Sequence, residues 1–363
     1  MSLVNQCGGT DMKRKMGQSY IGVILTKAAY ALLAAAAFVL TPEIPAALAG
    51  DYAVIFMYHR FGEDKFPSTS IKLSQFEAHL AELKTGPYTV LPVPEIIARL
   101  KEKRALPDRA IGLTIDDAYQ SFYKQAWPRL KKAGIPLTLF VSTDAADRKL
   151  GGYMTWDEIR EVAAAGVTIG HHTVHHQHLP RKDMNSNTWE IRNARSRFEK
   201  ELGKAPSLFA YPYGEGSHAL EKLAKSSGFA AAFGQHSGVA HTTSNFFYLP
   251  RFALSENHGS LSRFKLGANA LALPVTDITP VDSLIGTMNP PAMGFTVLPN
   301  FPGPKHLACY ISRIGKVRLE RLGDIRIEIR SGKPFPRGRT RLNCTARGKG
   351  NRWYWLGRQF FVK

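Results

Sequence analysis

The segment "TIGHHTVHHQHL" at positions 168–179 holds five of the chain's 12 histidines within eight residues. Two imidazoles bind one cation only if they reach a common point. His171 and His175 are four apart, as are His172 and His176, so either pair can converge if the chain turns into a helix beyond a strand end. A second polar constellation follows the apolar run "IGLTI", where Asp116 and Asp117 are adjacent. On one extended segment neighbouring side chains point in opposite directions, so one carboxylate is free to bind a metal while the other meets a substrate. Two imidazoles joined by Asp117 make a three-ligand set with a position open for water, the arrangement of a catalytic zinc site. The bland competitors are a solvated acidic turn and an envelope metal-buffering protein holding several ions on its histidines.

Such groups need a scaffold that brings distant strand ends together. Short apolar runs, "YAVIFMYH", "AIGLTID", "LTLFVST", "VTIGHH", "LFAYPYG" and "AAAFGQH", alternate with amphipathic stretches at 73–84, 94–103, 119–133, 155–165, 186–202 and 219–227. Continuous apolar runs separated by helix-period segments indicate parallel strands buried on both faces. Gly134, Gly166 and Gly228 sit where helix C-terminal caps are needed. Repeated units of this kind form a (β/α) barrel or an open doubly wound sheet, and barrel sites lie at the C-terminal rim of the strands. Near 271–301 the pattern turns Pro-rich and irregular. Beyond it "KVRLERL" and "DIRIEIR" alternate at period two, the mark of half-buried antiparallel strands. The expected organisation is a leader at 1–49, a barrel at 50–285 and a small basic β-rich C-terminal module at 286–363.

The leader reading rests on "MKRK" at 12–15, an uncharged, mostly apolar stretch at 28–42 and "ALA" at 47–49 before Gly50, the pattern of a cleaved export signal. Roughly 15 uncharged residues fall short of the about 20 that span a bilayer; an uncleaved anchor is the alternative. Export places the protein in the periplasm or outside the cell. There Cys309 and Cys344, the pair left without Cys7, are expected to form a disulfide. The formal charge is +19 in 363 residues, 44% of them hydrophobic, a folded chain of one large domain or two. From Arg313 to Lys363 fifteen Lys or Arg face Glu320, Asp324 and Glu328. This face suits an anionic envelope polymer or a membrane surface; behind an export signal, nucleic acid is not an expected partner.

Three motifs taken together, "TIDDA", "HTVHH" and "FAYPYG", resemble in order and distance those of the polysaccharide deacetylases, carbohydrate esterases that include the nodulation-type chitooligosaccharide deacetylases. The resemblance spans about Tyr52 to Phe252 and implies a distorted (β/α) barrel. It implies Asp116 as general base and Asp117, His172 and His176 as ligands of a divalent metal, Zn²⁺ or a similar ion. Thr173 between the paired histidines settles the register that spacing leaves open, and His171, His175 and His178 become bystanders or supports. The backbone N–H of Tyr213 is implied as an oxyanion donor. The chain departs from the family pattern at Ala210, where arginine is usual, and lacks a late Leu-x-His motif that supplies the acid. His59 in "MYHRFGE" resembles the acid of the subgroup acting on poly-N-acetylglucosamine, and Arg251 in "LPRF" is the candidate to steady Asp116. Tyr153, Trp156, Tyr211, Tyr213, Trp353, Tyr354 and Trp355 are candidate sugar platforms or core residues.

The function so implied is hydrolysis of N-acetyl groups from an N-acetylated glycan: chitooligosaccharide, poly-β-1,6-N-acetylglucosamine or peptidoglycan. The alternative, motivated by Ala210 and the missing late motif, is a carbohydrate-binding or scaffold protein of the envelope that retained the barrel without turnover.

Overall fold

Six of the seven barrel strands follow from runs of apolar residues too short for helices and apolar on both faces. They are β1 (Tyr52–Tyr58), β2 (Ala110–Ile115), β3 (Thr138–Val141), β4 (Thr168–His171), β5 (Leu208–Ala210) and β6 (Ala231–Phe233). The computed structural model describes residues 49–299, 301 and 306–363; the expected leader lies, but for its last residue, outside them. All six residues of β2 are buried, as a strand covered on both faces must be. A seventh strand, β7 (Phe252–Ala253), pairs with β1, and the order is β7-β1-β2-β3-β4-β5-β6 with every pairing parallel.

The principal helices are α1 (Leu73–Thr85), α2 (Val93–Lys101), α3 (Trp127–Ala133), α4 (Trp156–Ala164), α5 (Met184–Leu202), α6 (His218–Ser226) and α7 (Leu261–Ala268). α4 opens on a capping box in which Thr155 and Glu158 satisfy each other's backbone N–H. Gly134 ends α3 in the left-handed region at φ 65°, which glycine adopts without steric cost. The helix expected at 119–133 instead starts as a π-turn at Phe122–Ala126. Pro128, with no N–H to donate, sits where the α-helical ladder would otherwise run through.

Two edges of the sheet meet through one segment. Ala232 N donates to Phe246 O (2.8 Å), and Leu249 N and Gly234 N continue the ladder along β6. The chain then crosses through Arg251 to pair Phe252 and Ala253 with Phe56 and Met57 of β1. This is a distorted (β/α) barrel rather than an open sheet.

The C-terminal strands are β8 (Val275–Thr279), β9 (Met293–Val297), β10 (Ala308–Ile311), β11 (Arg318–Leu322), β12 (Arg326–Arg330), β13 (Gly338–Arg347) and β14 (Trp353–Val362). One antiparallel sheet runs β8-β9-β12-β11, and a second contains β14-β13-β10. Their inner faces share a core of Phe295, Ile327, Ile329, Leu342 and Phe360. Cys309 and Cys344, directly opposed on β10 and β13, are disulfide-bonded. The described residues pack as one compact unit: Trp355 meets Phe252 edge-on at 5.1 Å, and Arg352 donates to Asp108 and to the Tyr52 hydroxyl, both at 2.8 Å. Trp355 is therefore an anchor rather than a sugar platform. Trp156 and Tyr211 are likewise core residues, buried with their polar atoms bonded to Asp147 and Phe247 O. Among the described residues no helix is long and apolar enough to cross a membrane.

Candidate active site

At the C-terminal rim, β2 delivers the two aspartates. Asp116 N donates to Tyr58 O at 2.9 Å, continuing the ladder for one more residue. Asp117 then enters the left-handed region at φ 74°, a conformation uncommon for a residue other than glycine. Their carboxylates part because of this turn, and not because both lie on an extended segment. Asp116 faces Arg251 and Asp117 faces the histidines.

Arg251 and Asp116 form a bidentate pair at 2.7 and 2.8 Å, both fully buried. The guanidinium also donates to Thr114 Oγ1 and Gly234 O, each at 3.0 Å, and lies over the rings of Phe140 and Phe233. Such multiple donation is what makes a buried charge tolerable. Burial pushes the Asp116 carboxyl up, but the positive charge of Arg251 more than reverses this and holds it below the usual carboxylate range.

β4 delivers the histidines. The chain beyond it does not turn into a helix. It bends through Thr173 at φ 68° and His176 at φ 53°, and these left-handed residues bring the two imidazoles together. Thr173 Oγ1 accepts from His176 N at 3.1 Å. His172 Nδ1 lies 2.7 Å from Ala210 O; a carbonyl only accepts, so Nδ1 carries the proton and Nε2 presents its lone pair. That Nε2 is buried and has no hydrogen-bond partner, an anomaly in a protein interior unless something else occupies it. Asp117 Oδ1 stands 3.4 Å from His172 Nε2 and 3.3 Å from His176 Nε2, and the three ligand atoms lie within 4.8 Å of one another. Two ligands held at about 2.0–2.1 Å from a tetrahedral ion are about 3.3 Å apart, so the residues fit a divalent cation.

The competing pair does not converge. His171 Nε2 donates to Ile191 O at 3.0 Å and its Nδ1 accepts from Thr173 N, so both nitrogens are spent. His175 Nδ1 binds Glu190 at 2.7 Å, and His178 Nδ1 binds Glu215 at 2.7 Å. Glu190, from α5, also accepts from Val174 N and His175 N, tying down the histidine loop. Nothing in the motif indicates it; the available signal is an acid at a core-facing position of α5, where Glu190 is buried.

His59 follows β1 at the same rim, half-buried, close enough for its charge to act on Asp116, Asp117 and His176. Tyr213 also takes a left-handed conformation, φ 58°, at a cost of about 1 kcal/mol. Its ring meets His176 edge-on at 4.5 Å and stacks on His178 at 4.0 Å. A cleft opens beside Asp117 and His176, walled by Tyr119, Leu150 and Tyr153. Tyr119, which the sequence reading did not single out, stacks under the Arg60 guanidinium at 3.5 Å. The seven residues the sequence offers as catalytic or metal-binding, His59, Asp116, Asp117, His172, His176, Tyr213 and Arg251, lie at one rim.

A family model described as polysaccharide deacetylase matches residues 103–232. This stretch holds the aspartates, the histidine loop and Tyr213, and leaves His59 and Arg251 outside. A poly-beta-1,6-N-acetyl-D-glucosamine N-deacetylase of Staphylococcus aureus (strain MRSA252) is 24% identical over 216 residues, 56% of this chain and 73% of that protein. In fold, the chain is similar to the Streptococcus pyogenes deacetylase PplD in complex with acetate, with TM-score 0.55 and 22% identity over 59% of this chain and 96% of that one. It is similar also to IcaB from Ammonifex degensii, with TM-score 0.53 and 24% identity over 61% and 98% of the two chains.

Proposed function

For this chain, which belongs to the polysaccharide deacetylase family, we propose metal-dependent hydrolysis of N-acetyl groups on a glycan containing N-acetylglucosamine. The observation that carries the reading is the convergence of Asp117, His172 and His176 beside a second carboxylate that is clamped by a buried arginine.

Asp117, His172 and His176 would hold a divalent ion, Zn²⁺ by the chemistry of this donor set, which when bound would supply Lewis acidity toward the acetamide carbonyl and make water easier to deprotonate. Asp116 accepts the proton of the attacking water. Arg251 keeps that carboxylate ionised and fixes its direction, supplying the guanidinium that Ala210 does not. This supports turnover over the scaffold alternative. The Tyr213 N–H donates to the oxyanion as the carbonyl carbon becomes tetrahedral. His59 donates a proton to the amine nitrogen as the C–N bond breaks, since an unprotonated amine leaves poorly. The products are acetate and a glucosamine residue.

The name of the Staphylococcus aureus relative favours a β-1,6-linked polymer as substrate, with chitooligosaccharide and peptidoglycan as the other members of the class. A substrate in the envelope goes with export, the leader at 1–49, and a barrel whose basic C-terminal module faces anionic polymer or membrane. Acetate release from β-1,6- and β-1,4-linked N-acetylglucosamine oligomers and from peptidoglycan tests the function. The metal-loaded protein is expected to release acetate from at least one of them, and Asp116→Asn to slow release by about 10²–10⁴-fold. Sugar binding without acetate from any of the three would instead establish the scaffold.

A further inference from the structure

We propose that Gln359, near the end of β14 in the C-terminal module, is a positioning residue for this site. It holds the turn that carries the Tyr213 N–H, and the proposal rests on the deacetylase reading above.

Tyr213 and Gly214 are consecutive left-handed residues, φ 58° and 65°. Glycine is required at 214, where a Cβ would meet Gln235 N at 2.3 Å; a tyrosine at 213 gains no such ease and must be held from outside. The holding groups come from the end of the chain. Gln359, 1% exposed, donates from Nε2 to Tyr213 O at 3.1 Å and to Gly214 O at 2.7 Å. Its Oε1 accepts from Arg341 Nε at 3.1 Å, and this fixes which end of the amide faces the turn. Arg339 Nη1 adds a bond to Tyr213 O at 3.3 Å, and Tyr248 donates its hydroxyl proton to Gly214 O at 2.7 Å. Both left-handed carbonyls are thus held by donors, three of the four bonds coming from the module, while the Tyr213 ring on the barrel side braces His176. Rotating either peptide plane breaks at least two of these bonds. The module is therefore part of the catalytic unit through this amide, 146 residues from Tyr213 in the chain.

Two near-isosteric variants of the full-length metal-loaded protein test this. Gln359→Met removes both donated bonds; Gln359→Glu keeps an acceptor for Arg341 but turns a carboxylate toward two carbonyl oxygens. The expected result is a kcat for acetate release lowered about 10-fold in Gln359→Met and further in Gln359→Glu, with KM within about twofold. One metal ion per chain is retained, and hydrogen exchange accelerates at the amides of Tyr213, Gly214 and Glu215 but not across the barrel. Unchanged kcat and exchange overturn the proposal. So does a fall in kcat accompanied by metal loss or by faster exchange throughout, which would mark a merely structural role. Arg339→Met, at a partly exposed position, is expected to move kcat and local exchange in the same direction by about threefold, and no change there counts against the proposal even if neither Gln359 variant folds. A wild-type protein that releases no acetate refutes the deacetylase reading itself, while exchange still decides whether Gln359 holds the turn.

Discussion

Asp116 and Asp117 are chain neighbours in opposite surroundings, one against a guanidinium and one against imidazoles. Removing the guanidinium leaves a buried charge without a partner. Arg251→Met is therefore expected to destabilise the fold by about 3–5 kcal/mol, read as a lower midpoint in urea unfolding; a loss under 1 kcal/mol contradicts the pairing. The histidines separate by the bonds they already make. Since His171 has both nitrogens engaged and His175 and His178 are tied to Glu190 and Glu215, metal analysis after dialysis is expected to give one ion per chain in His175→Ala and His178→Ala. The same measurement on His172→Ala is expected to fall to near zero. Several ions in the wild type, lost stepwise, would point to a buffering protein. Spacing alone left the two histidine pairs equivalent; the family resemblance chose His172 and His176 through Thr173, and the partners of His171, invisible in the sequence, supply the physical reason.

At the scale of elements, the buried strands were legible because a parallel strand under helices on both faces has to be apolar at every position, as β2 is. The segment that closes the barrel was not legible. It makes a ladder with β6 and then with β1 through only a few residues each, and Arg251 sits in its middle. The convergence of the ligands was also illegible in its mechanism. Left-handed Asp117, Thr173 and His176 carry no sequence signal of the kind a glycine gives. The C-terminal strands were legible from period-two alternation, and the disulfide from cysteine parity once the chain is read as exported. That bond closes a loop with sequence separation 35, so Cys309→Ser/Cys344→Ser is expected to lower stability by up to about 4 kcal/mol, measured by equilibrium unfolding against the oxidised wild type. Equal stability would remove the disulfide from the account of the module.

For the whole molecule, buried neutral histidines set an acid limit on stability. Burial pushes His79 down to about 4 and His236, also disfavoured by Arg358 and Arg341, to about 3. His79 accepts from the Tyr58 hydroxyl and donates to Gly259 O, holding α1 beneath α7. Between pH 4 and about 6.5 the unfolded chain binds protons that these native imidazoles refuse. Stability is therefore complete above about pH 6.5 and falls as pH drops, by on the order of 3 kcal/mol for each histidine at pH 4. Urea midpoints across that range check the sign, and His79→Gln is expected to flatten the slope. The account of the molecule as a hydrolase turns on a single point in space. Diffraction at the zinc absorption edge from crystals grown with Zn²⁺ tests it most directly. The account predicts one strong peak about 2.0–2.2 Å from Asp117 Oδ1, His172 Nε2 and His176 Nε2 together. An empty position there, with zinc seated on His175 or His178, would contradict it.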